Sequence, residues 1–226
     1  MIKLIKLILV LIGCQTMFGQ SLPIPVNYAI IDSVQGDLNR DGIDELVAAY
    51  DTKASSEEDS ESVSRELVIY QKVNGNWITW KKSAQALLGS RDGGMMGDPF
   101  GAIEIVNGIL LVSQNGGSSW KWGYTDKYRF QDDAFYLIGY SSSFGKPCEY
   151  WTDVEFNLST GKLIINKEYE SCENDTEGKI YKSEKETVYK KGLKLTFEKR
   201  NEKEIKIVTP KYQHILYLAS DNGSAK

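Results

Sequence analysis

One short segment of the sequence places oxygen-bearing side chains at alternate positions. It reads GDLNRDGIDEL and spans residues 36–46. Calcium is a hard cation that takes six to eight oxygen ligands, and a chain supplies them by curling tightly. Gly42, at position six of the loop, permits the sharp turn that a side chain would obstruct. We therefore predict a Ca²⁺ site. Its predicted ligands are Asp37, Asn39, Asp41, the backbone carbonyl of Ile43, and Glu45.

The spacing D-x-N-x-D-G matches the first half of an EF-hand loop, but the second half differs. Position twelve is Ala48 instead of a bidentate glutamate, and both flanks have the composition of strands. The loop resembles the calcium loops of FG-GAP and VCBS-type repeat proteins, in which an acid at position nine precedes a strand, and this resemblance implies the same five ligands. Asp44 could replace Glu45 or face water. The competing interpretation is a metal-free turn that satisfies its own backbone.

The elements that must position this loop are mostly strands. Turn signals at residues 74–75, 107–108 and 132–133 separate runs rich in aromatic and β-branched residues. The sequence predicts a mainly β fold, an antiparallel meander forming one irregular sandwich or barrel-like domain. At most one short helix is expected, at residues 82–90. Further strands are expected at 185–191, 193–199, 204–209 and 213–218.

The N-terminus predicts export. Residues 1–20 combine lysines, a short apolar run and small residues, which is typical of a signal peptide. Either the chain is cleaved near Gly19, or Cys14 is lipidated and anchors it. We expect a single β-rich domain over 21–219 and a disordered tail over 220–226. No apolar run is long enough for a transmembrane segment in the mature chain. The location is then the periplasm, the cell surface or the exterior.

Export permits disulfides, and two cysteines flank a predicted hairpin. Counting outward from Thr160 places Cys148 opposite Cys172, and the same register pairs Trp151 with Tyr169. It also pairs Asp153 with Lys167. These aromatic and opposite-charge pairs are typical of cross-strand neighbours. We predict a Cys148–Cys172 disulfide, and a slip of one residue would separate the two thiols.

Two glycine-rich segments carry large apolar groups and form a candidate ligand loop. They are GSRDGGMMGDPFG, residues 89–101, and NGGSSWKWG, residues 115–123. Shaped loops often carry function. The candidate ligand residues are Asp98, Trp120 and Trp122. The simpler interpretation is that the tryptophans and the pair Met95–Met96 cover core.

A wider resemblance rests on four segments in order. They are GDLNRDGIDELV, GGMMGDPFGAIEIVNG, NGGSSWKWGYTDKYRF and FYLIGYSSSF. Together they are similar to a family of uncharacterised exported bacterial proteins, over roughly residues 28–145. The resemblance implies a fold and an exported location, but no activity.

Catalytic signals are weak. The single histidine, His214, lies in an apolar strand and is expected to be packed there, and no nucleophile elbow, phosphate loop or zinc motif occurs. The net charge of −4 with scattered lysines predicts no nucleic-acid partner. We expect a non-enzymatic, calcium-stabilised binding module whose partner is a protein or a glycan at the cell exterior. The alternatives are a carboxylate-dependent glycan hydrolase and an envelope inhibitor or immunity-type protein.

Overall fold

The computed structural model describes residue 22 and residues 24–53, 61–172 and 178–219. Within these ranges the chain is mainly β, with antiparallel sheets arranged as an open sandwich. The predicted fold class is therefore confirmed.

Three sheets contain the described strands. The first has four: β1 (Ala29–Gly36), β2 (Glu45–Asp51), β3 (Arg65–Val73) and β4 (Asn76–Ser83). The second has seven: β5 (Phe100–Val106), β6 (Ile109–Gly117), β7 (Lys121–Gln131), β8 (Ala134–Lys146), β9 (Tyr150–Asn157), β10 (Lys162–Ser171) and β11 (Lys179–Tyr189). The third pairs β12 (Ile205–Val208) with β13 (Ile215–Ala219). Within each sheet every strand pairs with its neighbour in the sequence, so the architecture is a meander.

The tight hairpins follow from local turn chemistry. At Asn74–Gly75 and Asn107–Gly108 both central residues have positive φ, and the same is true of Asp132–Asp133. Turns of this kind match the twist of antiparallel strands and favour asparagine, aspartate and glycine. These predicted hairpins are confirmed.

One hydrophobic cluster draws side chains from all three sheets. Its members include Val47 of β2, Leu110 of β6 and Leu218 of β13. Strands β2 and β3 are buried on both faces, because a second cluster around Tyr50 and Tyr70 covers the side away from the seven-stranded sheet. These two strands therefore read as continuous apolar runs instead of alternating ones.

The predicted helix at residues 82–90 does not form. Side chains from elsewhere occupy the backbone groups that helical bonds would need. The Leu88 N–H donates to Gln114 Oε1 at 2.7 Å, Gln114 Nε2 donates to the Ala86 carbonyl, and Asn201 Nδ2 donates to the Gln85 carbonyl. Segments this short form stable helices only with tertiary support.

The predicted strand at residues 193–199 is also wrong. It contributes a single bridge, Thr196 to Tyr136, and then a 3₁₀ turn at Phe197–Lys199. Another 3₁₀ turn lies at Gly94–Met96. These two 3₁₀ turns are the helical elements of the described residues, which otherwise form strands and loops.

The cysteine hairpin forms, but its register is shifted by one residue. Asn157 pairs with Lys162, so four residues form the loop instead of three. Tyr169 consequently faces Tyr150 and not Trp151. The same shift places Asp153 opposite Asn166 and Lys167 opposite Thr152, so the predicted pairing of Asp153 with Lys167 is wrong as well.

The predicted disulfide is nevertheless present. The Cα atoms of Cys148 and Cys172 are 5.1 Å apart, within the usual range for disulfides. Cys148 lies in a turn between β8 and β9 with a φ of +67°, not in a strand. This turn brings the thiol within reach despite the shifted register.

Several sequence predictions concern residues outside the described part of the chain. These are the signal peptide over 1–20, Cys14, most of the acidic insertion after Lys53, and the tail over 220–226. None of the helical segments in the described ranges combines the length and the apolarity of a membrane span.

Candidate functional site

Residues 37–44 join β1 to β2 where the two large sheets meet, and we call them, together with Glu45 at the start of β2, the acidic loop. A Cβ on Gly36 would lie 2.8 Å from Ile105 Cγ2 of β5. A Cβ on Gly108 would lie 3.3 Å from the carbonyl oxygen of Asp37. The loop therefore packs against the β5–β6 hairpin, and its conformation affects the junction between the sheets.

Asp37 closes the loop on itself. Its carboxylate accepts the N–H of Arg40 at 2.5 Å and the N–H of Gly42 at 2.9 Å. Gly42 has a φ of +85°, a left-handed conformation that other residues adopt only with strain. The predicted role of this glycine is confirmed.

Asn39 connects the carboxylates of Asp41 and Glu45. Its Nδ2 donates to Asp41 Oδ2 at 2.9 Å and to Glu45 Oε1 at 3.0 Å, while its Oδ1 accepts the Asp41 N–H. The N–H groups of Leu38 and Asn39 donate to the second Glu45 oxygen at 2.8 and 3.3 Å. Asn39, Asp41 and Glu45 are thus in mutual contact through an amide.

Glu45 is the buried acid of the loop, with 2% of its surface exposed. Burial raises the pKa of its carboxyl, and the charges of Asp41 and Asp37 raise it further, against the opposing effect of the two N–H donors. No ion pair among the described residues reaches a carboxylate of this loop. Within the described ranges, the side-chain oxygens of Asp37, Asp41 and Glu45 accept hydrogen bonds but form no ion pair.

The donor chemistry of the loop suits a hard cation, because every predicted ligand presents oxygen. Within the described ranges, however, no three His, Cys, Asp or Glu side chains converge closely enough to hold a metal ion. Ile43 donates its N–H to Asp41 Oδ1 at 2.8 Å, and its side chain is half exposed. The amide of Asn39 lies between two carboxylates, a position that a cation would take.

Asp98 of the candidate ligand loop forms a clamp with a buried arginine. Arg65 of β3, 3% exposed, donates through both terminal nitrogens to the Asp98 carboxylate at 2.6 Å and through Nε to Asp51 at 2.9 Å. Burial opposes it, but the hydrogen bonds from Arg65 and from the Phe100 N–H hold the pKa of Asp98 below its usual range. A carboxyl held ionised in this way is poorly suited to act as a general acid.

The two glycine-rich segments lie against each other, as shaped loops. The Gly117 N–H donates to the Gly93 carbonyl at 2.8 Å. A Cβ on Gly116 would lie 2.5 Å from Trp122 Cζ2, so this close approach requires glycine. The expectation that Met95 and Met96 cover core is wrong. They are 89% and 49% exposed, and the 3₁₀ turn that contains them, Gly94–Met96, has no buried residue.

Trp120 begins a series of half-buried to exposed rings that crosses the seven-stranded sheet. We call this series the aromatic row. Its members are Trp120, Phe144, Tyr150, Tyr169 and Tyr181. The Trp120 ring stacks on Phe144 with centroids 5.4 Å apart, and the Tyr150 centroid lies 4.9 Å from that of Trp120 and 6.4 Å from that of Phe144. The Tyr169 centroid lies 6.0 Å from that of Tyr150 and 6.2 Å from that of Tyr181. Trp122 instead stacks on Tyr124, toward the core.

The aromatic row lies on the same face of the seven-stranded sheet as the hydrophobic core, at the opposite end of the strands. In β9 the alternation that buries Val154 and Phe156 also directs Tyr150 to this face, and in β10 Ile165 and Tyr169 share it in the same way. Among the described residues, the core covers this face at the end of the strands that carries Val154, Phe156 and Ile165. Toward the disulfide end the rings are half buried to exposed.

Three lysines lie over these rings. Lys146 Nζ is 5.8 Å from the centroid of Trp120, and Lys182 Nζ is 4.6 Å from that of Tyr169. Lys167 Nζ is 3.7 Å from the centroid of Tyr150 and 4.9 Å from that of Tyr169. These distances lie within the range of cation–π attraction.

His214 lies just before β13, next to the accessible face. Its Nε2 is buried without a hydrogen-bond partner and lies 3.5 Å from Glu184 Oε2. Glu184 also accepts a hydrogen bond from Tyr169 Oη at 3.1 Å. The histidine is packed, as expected, although it precedes the strand.

A buried ion pair that the sequence did not predict lies on the same face of the seven-stranded sheet, away from the aromatic row. Arg200 Nε and Nη2 donate to Asp126 at 2.6 and 3.0 Å, and Tyr128 Oη donates to the same carboxylate. Asp126 and Arg200 are 1% and 4% exposed. The pair joins β7 to the segment that precedes β12.

Comparison of the chain with protein-family models and with curated protein sequences gives no match. The predicted resemblances therefore stay predictions, and the function has to be inferred from the site.

Sequence reasoning located Trp120 but missed most of the aromatic row. The missing signal was the register: only the observed pairing places Tyr150 beside Tyr169. Arg65 could have been suspected from sequence, because a charge beside the long apolar run of β3 needs a partner.

Proposed function

We propose that this chain is an exported, non-enzymatic β domain that binds a glycan on the aromatic row and is stabilised by calcium in the acidic loop. The observation that carries the proposal is the row itself, five rings in succession along an accessible sheet face. The apolar faces of sugar rings pack on aromatic faces, and tyrosine and tryptophan add polar edges for hydroxyl groups.

The support for a glycan comes from the ring geometry and from the surrounding polar groups. A long series of rings suits a linear chain of sugars, each packed over a part of the row. The Tyr169 hydroxyl is held by Glu184, and lysines line the row. Aromatic residues with positioned polar groups are typical of specific binding surfaces.

Retention on polysaccharides tests this proposal. The purified protein is run through native gels that contain one soluble polysaccharide each, chosen to include neutral and acidic polymers. We expect at least one polymer to retard the protein and Tyr150→Ala to abolish the retardation. Tyr189→Ala is the matched control, because Tyr189 is 67% exposed on β11 but outside the row. Retardation that Tyr150→Ala leaves unchanged would refute the assignment of the row.

The calcium part of the proposal rests on the clustered carboxylates of the acidic loop, which form no ion pair with any described residue. Glu45 is a buried acid with a raised pKa, next to Asp37 and Asp41, at the junction of two sheets. A cation there would relieve this repulsion. We propose that calcium takes the position between Asp41 and Glu45 that Asn39 Nδ2 occupies.

Asn39→Asp separates calcium binding from a metal-free turn. In chelator this substitution removes two N–H donors and adds a charge, so it should lower the melting temperature. If calcium binds, the added carboxylate is a ligand and calcium should restore the loss. An ion at a hundredfold excess over Kd stabilises by about 2.7 kcal/mol. Asp153→Asn is the control, because Asp153 is exposed on β9 and lies outside the loop. Equal destabilisation by Asn39→Asp in calcium and in chelator would contradict the calcium site.

A further inference from the structure

We infer that the glycan bound by the aromatic row is acidic, and that Lys167 is the residue that selects the negatively charged sugar. This inference rests on the proposed function and adds the chemical class of the ligand. It follows from a difference in ion pairing between Lys167 and the other two lysines that lie over the aromatic row.

Lys146 and Lys182 each have a carboxylate partner. Lys146 Nζ lies 3.3 Å from Glu149, and Lys182 Nζ lies 2.5 Å from Glu184. Lys167 forms no ion pair with any residue that the structure describes. Its ammonium group is held between the rings of Tyr150 and Tyr169. Ring faces attract a cation but form no ion pair with it, and the neighbouring carboxylate of Glu184 is paired with Lys182.

The position of Lys167 suits contact with a bound sugar. Its cross-strand neighbours on this face are Thr152 on one side and Glu184 on the other. A sugar that packs on Tyr150 and Tyr169 would therefore place its substituents beside the ammonium group. Burial lowers the pKa of Lys167, and the charge of Lys182 lowers it further while Glu184 raises it, so an arriving anion would stabilise the charged form.

The charge pattern favours an acidic glycan over a nucleic acid. A nucleic-acid surface presents many cations to successive phosphates. Here Lys167 alone of the three lysines over the rings forms no ion pair with a described residue, and the carboxylates of Glu149 and Glu184 pair with the other two. The chain as a whole carries a net charge of −4. This arrangement accepts an isolated carboxylate or sulfate on a sugar and repels a continuous polyphosphate.

A pair of polymers that differ only in charge tests the inference. Polygalacturonate carries one carboxylate on each sugar, and its methyl ester has the same backbone without the charge. Affinities of the purified protein for both are measured by retardation in native gels. We expect the wild type to bind the acid about tenfold or more tightly than the ester, since a hydrogen bond to a charged group contributes that much.

Lys167→Met removes the charge but keeps the aliphatic stem. We expect this variant to bind the acid and the ester about equally, with ester binding unchanged. Lys162→Met is the matched control, because Lys162 lies on the same strand, is exposed, and points to the opposite face. It should keep the wild-type preference.

The outcomes separate the inference from the proposed function. If the wild type binds the ester as tightly as the acid, or if Lys167→Met keeps the preference for the acid, the inference is overturned and glycan binding stands. If neither polymer is bound, and no other polysaccharide gives retardation that depends on Tyr150, both are overturned.

Discussion

Replacing Asp126 by asparagine tests the buried ion pair between β7 and the segment before β12. The substitution keeps the size of the side chain and removes its charge. Arg200 would then be left 4% exposed without its counterion, and Tyr128 would lose a charged acceptor. Burial opposes it, but the charge of Asp126 raises the pKa of Arg200 far above its usual range, so the arginine stays charged.

The expected cost is large because the arginine cannot reach water. Removing one partner of a buried ion pair typically costs about 3–5 kcal/mol. For a domain of this size, 1 kcal/mol corresponds to roughly 2–4 °C in melting temperature. We therefore expect Asp126→Asn to lower the melting temperature by roughly 6–20 °C.

Urea unfolding followed by tryptophan fluorescence, alongside calorimetry, measures this loss. Lys199→Met is the control: its ion pair with Glu202 at 3.0 Å is exposed, and exposed pairs contribute about 1 kcal/mol or less. The double variant Asp126→Leu/Arg200→Met should recover much of the loss, because it leaves no unpaired charge. A loss below about 1 kcal/mol for Asp126→Asn would refute the reasoning.

Three further predictions concern the loops and the disulfide. In chelator, the pKa of the Glu45 carboxyl is higher in the folded chain than in the unfolded chain, where it is about 4.3. The protonated carboxyl therefore stabilises the folded state fully below about pH 4.3, and this stabilisation is lost as the pH rises through the pKa of the folded state. Thermal melts should show wild type losing stability relative to Glu45→Gln from pH 4 to 7, and calcium should reverse the sign. Replacing Cys148 and Cys172 by serine opens a loop with a sequence separation of 24, so unfolding should need about 3 kcal/mol less and the retardation by polysaccharide should weaken. Asp98→Ala removes two hydrogen bonds to Arg65 and should cost about 1–3 kcal/mol, measured in urea, without changing the retardation.

Local signals in the sequence predicted the strands and tight hairpins well. Asn74–Gly75 and Asn107–Gly108 adopt the positive φ values that their residue types favour, and the strands predicted on either side of each turn are present. The failures occurred where distant side chains decide. Residues 82–90 look helical in isolation, but Gln114 and Asn201 bond to their backbone. Composition cannot show such partners.

For the candidate site, too, the sequence predicted the local features but not the contacts between distant residues. The acidic loop folds around Asp37 and Gly42 because its side chains bond to its own backbone, so its conformation is written into the residues themselves. Asp98 lies in the glycine-rich segment that the sequence predicted to be a shaped loop. Its carboxylate is bound by Arg65, which is distant in the sequence. A local pattern cannot reveal that a carboxylate is already paired.

The sequence by itself determined the strand class, the tight turns, the cysteine pairing and the self-bonded acidic loop, because each depends on residues that are close together in the chain. Only the tertiary structure decided which rings form the aromatic row and which of the lysines over it forms no ion pair within the described part of the chain. The four-residue hairpin loop shifts the register of β9 and β10 by one residue, and side chains alternate between the two faces of a sheet. That single shift places Tyr150, and not Trp151, beside Tyr169 and Lys167.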